Sequence, residues 1–386
     1  MGVEAPAAGW RHAWTAPRGR LWLIACAVAA FLPIVGVPFR GWLDFSAFYA
    51  AGSLAFGPEV AQLEPIVRFQ QAHGLPITPF VYPAGVALAY VPFAALPYGV
   101  AAALHAALML GALVLAARIG ADLLGLPRGW VLLGALAWGP AAAGILSGQN
   151  TSVALLLVVL GAAALARGRE VAGGALVGLL AYKPQLAAPL FGTLLLRGRL
   201  AGVAVVAVAL GVHYAAGVLA TGGHLAWPAD WIATVRAYGD ADLRANGWQA
   251  VSLPGLGARL DLMLGTGFLA LAGYVVGGLV VMACVPALRR SSVAEAVALA
   301  CAAGLVVSPH AWVYDATLLL PAVGIFAARA TRRGWPSRDR WTLAAAYAIG
   351  VTWPLGGLIG FTGLVVVVLA APVVLLRDGT AEPAPV

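Results

Sequence analysis

A chain of 386 residues in which 62% are hydrophobic and only 10% charged, with a mean hydropathy of +0.91, is not a set of soluble domains, and the same figures exclude disorder. Its 48 glycines and 25 prolines fit a polytopic membrane protein, where neighbouring helices re-satisfy the backbone groups that such residues free. The +8 net charge, from 23 Lys and Arg against 15 Asp and Glu, sits between apolar runs and reads as membrane topology, not as a nucleic-acid partner. Cys26, Cys284 and Cys301 fall in apolar stretches without ligand spacing and are expected to be small core residues.

A bilayer core about 30 Å thick needs about 20 mostly apolar residues per helix. Such runs lie near 21–38, 98–118, 129–147, 151–166, 200–221, 264–287, 293–307, 312–329, 341–357 and 360–376. Shorter runs at 84–97, 171–182 and 185–196, cut by Pro92 and Pro97 or by Lys183, Pro184 and Gln185, predict broken or re-entrant helices. The first run is long, carries Pro33 and Pro38 and lacks a small-x-small cleavage site, so it is expected to stay in the membrane. With both termini cytoplasmic, Arg11, Arg18, Arg20, Arg118, Arg128, Arg167, Arg169, Arg197, Arg199, Arg289, Arg290, the group 329–340 and Arg377 all fall on one side. The opposite face receives Arg40, Arg68, Arg236, Arg244 and Arg259, in two long loops over 39–83 and 222–263, provided that 84–97 does not cross on its own. The expected architecture is one all-α integral membrane domain over 1–386, with roughly 10–13 transmembrane helices. Gly174 with Gly178 and Gly273 with Gly277 predict close helix contacts, and the tail after Arg377 is expected to be loose.

The unusual polar residues gather at the outer face. Asp44, set among Trp42, Phe48 and Tyr49, has two readings: a general base acting on an acceptor hydroxyl beside rings that stack on a sugar, or the N-cap of an interfacial helix over 45–56. Lys183, the only lysine in the chain, interrupts an apolar stretch where a charge costs roughly 2.5–3.5 kcal/mol. A phosphate beside a helix opened by Pro184 would compensate it; so would snorkelling or pairing with carbonyls. Ser308 and Pro309 read as the cap and first residue of the next helix, which would put His310 and Tyr314 on one face, with His310 able to donate to a leaving phosphate. Asp315 needs a partner at the start of an apolar span, with Lys183, an arginine or water as the candidates. In the turn Gly148, Gln149, Asn150, the asparagine reads as a helix cap and the glutamine as a contact for a sugar hydroxyl. Asp230, Asp240, Asp242, Asn246, Trp248, Gln249 and Ser252 suit carbohydrate but are common in any such loop, and no phosphate-cradling glycine motif supports nucleotide binding.

Asp44 with Phe48, Tyr49, Ala50, Ala51 and Gly52, then Tyr82 and Pro83, then Gly148, Gln149 and Asn150, then Lys183 and Pro184, then Ser308, Pro309, His310, Tyr314 and Asp315 resemble, in that order, glycosyltransferase family 87, the polyprenyl-phosphate-mannose-dependent mannosyltransferase-like proteins. The resemblance implies a GT-C fold and transfer of a sugar, mannose by family default, from a polyprenyl phosphate to a glycolipid or glycan acceptor. The reaction would be an inverting displacement on the extracytoplasmic side of the cell membrane. Carried to matching positions, the resemblance makes Asp44 the general base and Lys183 and His310 contacts to the donor phosphate. Tyr49, Tyr82, Gln149, Asn150, Gln185, Tyr314 and Asp315 are further candidate substrate contacts. No cofactor and no metal is called for, since the lipid-linked sugar is itself the substrate; the expected partners are the bilayer, the donor and the acceptor, without nucleic acid. Ala84 replaces a second proline of the relatives, and residues 246–252 only loosely resemble their Asn-Gln-Ser loop, which leaves the acceptor open. A transporter or lipid flippase is the rival class, with binding groups near the midplane between repeated halves. A noncatalytic scaffold is a third.

Overall fold

The computed structural model describes residues 17–32, 43–352 and 357–379. Arg11, Pro33, Pro38, Arg40 and Trp42, the tail beyond Gly379 and both chain ends lie outside the described residues. Among the described residues the chain is helical throughout, with one isolated antiparallel bridge between Ala250 and Trp312 and no strand.

The first half contains α1 (Pro17–Phe31), α2 (Phe45–Ser53), α3 (Leu63–Ala72), α4 (Tyr98–Leu124), α5 (Arg128–Ala137), α6 (Gly139–Ser147), α7 (Thr151–Ala166), α8 (Glu170–Leu179), α9 (Pro184–Leu196) and α10 (Leu200–Ala220). The second half adds α11 (Trp227–Asn246), α12 (Leu253–Leu264), α13 (Leu269–Arg290), α14 (Val293–Val307), α15 (Leu320–Arg332), α16 (Ser337–Gly350) and α17 (Gly357–Gly379). The segment 84–97 is a 3-10 stretch, Ala84–Tyr90, followed by one helical turn, Val91–Ala94, too short to cross a bilayer.

Four apolar elements among the described residues are long enough to span: α4, α10, α13 and Val313–Arg332, which joins a 3-10 turn to α15. The run expected at 129–147 is instead broken into α5 and α6, bent by 63°. Trp138 is extended there and donates its indole N–H to the Ala316 carbonyl at 2.9 Å, and Pro140 starts the new helix. The bent pair makes a fifth candidate, and α7, α9 and α14 are among the shorter apolar helices of 10–17 residues, so the structure is that of an all-α polytopic membrane protein. The expected polar loops are also largely helical, being built from α2 and α3 in one case and α11 and α12 in the other.

Glu170, at the start of α8, is paired with Arg199, just after α9, so these two helices form a hairpin whose tip is Lys183. Arg118, Arg167, Arg197, Arg289 and Arg332 lie at or near the helix ends remote from that tip. Arg197 uses its guanidinium to cap the end of α13, donating to the carbonyls of Leu288 at 2.7 Å and Ser291 at 3.0 Å. The three cysteines are free and buried in the core, as their setting predicts.

Close packing rests on the small residues. A Cβ on Gly174 would lie 2.3 Å from the Gly202 carbonyl oxygen, and one on Gly273 would lie 2.5 Å from that of Leu253. Backbones thus meet where dispersion must hold helices together in lipid. Gly192, by contrast, has nothing within 4 Å of such a Cβ. Gly174→Ala is therefore expected to destabilise by about 1–3 kcal/mol through overpacking, and Gly192→Ala to be neutral or slightly stabilising. Thermal denaturation of both variants in one detergent checks this, and equal midpoints would contradict it.

Candidate active site

Asp44 sits in the turn that leads into α2, and its backbone N–H donates to the Ser147 carbonyl at 2.9 Å, which ties it to the end of α6. Gly148 follows α6 with φ +83°, and a Cβ there would come within 2.6 Å of Phe45 Cβ. Glycine lets the 148–150 turn press against the start of α2. Asp44 occupies the cap position of α2 but is itself helical in backbone and makes no cap bond. This replaces the helix-cap reading, because the carboxylate is engaged elsewhere: Gln149 Nε2 donates to Asp44 Oδ2 at 2.9 Å, and Gln149 Oε1 accepts from the Tyr82 hydroxyl at 2.7 Å. Burial pushes the Asp44 carboxyl up to about 6; the Gln149 bond and Lys183 oppose the rise, and Asp242 and Asp315 add to it.

Lys183 is the cap residue of α9, with Pro184 as first helical residue. Its ammonium does not snorkel. It contacts Asp315 Oδ1 at 3.1 Å, with side-chain exposures of 3% and 2%, and lies 5.7 Å and 5.4 Å from the ring centroids of Tyr82 and Tyr314. Asp315 accepts with its other oxygen from the Trp312 N–H at 3.1 Å, which closes the 3-10 turn Val313–Leu319. Of the partners open to Asp315, the fold selects Lys183.

Ser308 and Pro309 do not start a helix. Ser308 ends α14, its hydroxyl accepts from the His310 N–H at 3.3 Å, and the next helical turn begins only at Val313. The reason is a backbone register with another segment: Val251 N–H donates to the Ala311 carbonyl at 2.9 Å, which holds 311–312 against 250–251 and leaves His310 in a bend. His310 and Tyr314 therefore share no helical face, yet both point into the same space.

That space is a chamber of about 930 Å³, within the range of about 300–1,000 Å³ typical of small-molecule sites. Asp44, Tyr82, Gln149, Lys183, Gln185, His310, Tyr314 and Asp315 all line it. Tyr49 and Asn150 do not. The Tyr49 hydroxyl donates to the Leu96 carbonyl at 2.9 Å and its ring packs on Tyr98, so it braces α2 from behind. Asn150 stands at the cap position of α7 without a side-chain cap bond; it is buried, and its carbonyl accepts from the Tyr182 hydroxyl at 3.1 Å.

One wall of the chamber was not singled out from the sequence. Trp231, Val235, Tyr238, Asp242 and Asn246 line it from α11, at the i, i+4, i+7, i+11 and i+15 spacing of one helical face. Treating 222–263 as a loop hid that periodicity, although Asp242 and Asn246 were among its noted polar residues. Trp231 donates to the Val81 carbonyl at 3.0 Å and Thr234 to that of Ala61 at 2.9 Å, which fixes α11 over the chamber.

The Lys183–Asp315 pair carries a stability test. Lys183→Met or Asp315→Asn alone strands a buried polar partner and is expected to cost about 3–5 kcal/mol, and the double variant to recover a substantial part of the summed loss. Unfolding free energies around this double-mutant cycle measure the coupling; strictly additive losses would rule it out.

No curated protein and no solved structure matches the chain. The model of glycosyltransferase family 87 matches residues 80–309, well over half of the chain, a stretch that takes in Tyr82, Gln149, Lys183 and the α11 face and stops one residue before His310. The chain therefore belongs to glycosyltransferase family 87, and it is a membrane glycosyltransferase.

Proposed function

We propose that this enzyme transfers a sugar, mannose by the resemblance of its motifs, from a polyprenyl phosphate to a hydroxyl of a glycolipid or glycan acceptor. The observation that carries the proposal is the sharing of one chamber by a half-buried carboxylate with raised proton affinity, Asp44, and two nitrogen donors on other elements, the ammonium of Lys183 and the imidazole of His310. Asp44 is matched to general-base work, since a carboxyl titrating at about 6 is ionised at neutral pH yet basic enough to take a proton. The phosphate end is supported by Lys183 standing at the N-terminus of α9, where the helix dipole adds partial positive charge. Ala188, Pro189, Gly304 and Val307 give the chamber an apolar flank beside that helix, suited to the first units of a prenyl chain.

In the reaction, the acceptor oxygen attacks the anomeric carbon as Asp44 removes its proton, and the bond from that carbon to the phosphate oxygen breaks. The polyprenyl phosphate leaves as an anion toward Lys183 and His310, and a single displacement inverts the anomeric centre. The placement of the arginine-bearing helix ends remote from the chamber supports an extracytoplasmic site in the cell membrane, with both termini cytoplasmic.

The test is transfer from polyprenyl-phosphate-mannose by the purified protein in lipid across a panel of acceptors. Asp44→Asn is expected to lower turnover by about 10²–10⁴-fold with donor binding retained. In the wild type kcat/KM should fall as the pH drops through about 6, because protonation removes the base. Gln149→Met deletes the bond that holds this pKa down, so the acid limb should move to higher pH. Full activity in Asp44→Asn would remove the residue from the mechanism, and inertness of the wild type toward every polyprenyl-phosphate sugar would remove the donor class.

A further inference from the structure

Asp242 is a buried carboxylate that the mechanism above does not use. One of its oxygens, Oδ1, is held from both sides along α11, accepting from the Tyr238 hydroxyl at 3.0 Å and from Asn246 Nδ2 at 2.7 Å. Those residues stand one turn before and one turn after it, so the three side chains lock each other on the face turned to the chamber. The other oxygen, Oδ2, lies 3.9 Å from Nδ1 of His310, with the Asp242 side chain 7% exposed and that of His310 41% exposed. The His310 ring is set edge-on against Trp312 at a centroid distance of 4.5 Å. With Nδ1 turned to Asp242, the ring nitrogen left to the chamber is Nε2.

We propose that Asp242 is a positioning residue for His310: it receives Nδ1–H and stabilises the imidazolium, so that Nε2–H is presented to the phosphate of the donor. The inference rests on the donor reading given above. A histidine meets an anion as a donor only when protonated or in the right tautomer, and a carboxylate behind the ring selects both. The charged and titratable groups around His310 are Asp242 from α11, Asp315 and Tyr314 from the 3-10 turn, Tyr238 from α11 and Lys183 from the cap of α9. Burial lowers the His310 pKa below its ordinary value, Asp242 and Asp315 push it up, and Lys183 pushes it down. Asp315 is already engaged by Lys183 and the Trp312 N–H, which leaves Asp242, at an ion-pair distance of 3.9 Å and not in hydrogen-bond contact, as the carboxylate that a small turn of the ring brings onto Nδ1. An arriving phosphate adds negative charge on the Nε2 side and favours the same protonated ring.

The experiment is binding of polyprenyl phosphate alone to the full chain in nanodiscs from about pH 4 to about pH 9, a window that reaches well below the ordinary histidine range, for wild type, Asp242→Asn, Asp242→Glu and His310→Gln. Affinity in the wild type should fall as pH rises through the His310 titration. Asp242→Asn should show this fall at lower pH, by about one unit, and so bind about 10-fold more weakly on the alkaline side. Asp242→Glu should restore the wild-type limb, which also shows that the position tolerates change. His310→Gln should flatten the limb, and adding Asp242→Asn to it should cost nothing further. An Asp242→Asn limb that coincides with the wild type, or additive losses in the double variant, would overturn the inference while leaving the donor reading in place. Absence of any binding by the wild type would instead overturn the donor reading, and this inference with it.

Discussion

An ammonium and a carboxylate taken out of water each lose several kcal/mol of solvation and persist in an interior only where each finds a counter-charge and hydrogen bonds. Lys183 and Asp315 meet that condition 3.1 Å apart, and the contact joins the tip of the α8–α9 hairpin to a turn 132 residues later in the chain. Much of the chamber depends on it. Tyr82 and Tyr314 pack their rings beside the ammonium, Asp315 organises the backbone at Trp312, and Gln149 reaches back from Tyr82 to Asp44. Five separate stretches of sequence, at 44, 82, 149, 183 and 312–315, thus meet at a common wall around one buried pair.

The same wall sets a proton balance. Asp44, Asp242 and Asp315 face the chamber against Lys183 and His310, so an anionic phosphate would enter a space that already carries acid. Two features offset this. The N-terminus of α9 directs partial positive charge at the position of Lys183, and Asp44, with a carboxyl titrating at about 6, can hold a proton under mildly acidic conditions. On the proposed reading the two adjustable groups work in opposite senses: Asp44 must be able to give up its proton, and His310 must keep one. Their environments differ accordingly. Asp44 receives a bond from a neutral amide, whereas His310 has a carboxylate at its back.

Much of this was legible in the sequence because charge is expensive in an apolar chain. The one lysine, the aspartates at 44 and 315 and the histidine at 310 stand out against long hydrophobic runs, and all of them line the chamber. The helical class and the limits of α7 and α14 were equally plain, since an apolar run bounded by polar residues leaves little choice. What could not be read was whatever depends on a distant backbone. The break at Trp138 follows from an indole bond to Ala316, and the non-helical 308–312 segment follows from the pairing of 311–312 with 250–251. Asp44 looked as much like a cap as a base because local sequence does not reveal Gln149, 105 residues away. The α11 face was hidden for a different reason: a helix lying over a site carries polar residues on both sides, and its composition imitates a loop.

The placement of Asp44 shows how a short element acquires the precision that displacement chemistry needs. A helix of nine residues has no stability of its own in water. Seven of the nine residues of α2 are buried, and the rings of Phe45 and Phe48 sit among Tyr90, Phe93, Tyr98 and His105, with Phe48 stacked on Tyr90 at 4.6 Å. A Cβ on Gly52 would lie 2.5 Å from the Tyr90 carbonyl oxygen, so glycine lets that backbone approach α2. The aromatic cluster is therefore what locates α2, and the bond to Ser147 then locates Asp44 relative to α6. An inverting attack requires base and leaving group on opposite sides of one carbon, and an error of about 1 Å in either costs on the order of 100-fold in rate. Asp44 is fixed by α2, α6 and the 148–150 turn, and the phosphate contacts by α9 and the 308–315 segment, so each side of the displacement is held by its own scaffold, and the bonds of Tyr182 to Asn150 and of Trp138 to Ala316 relate the two.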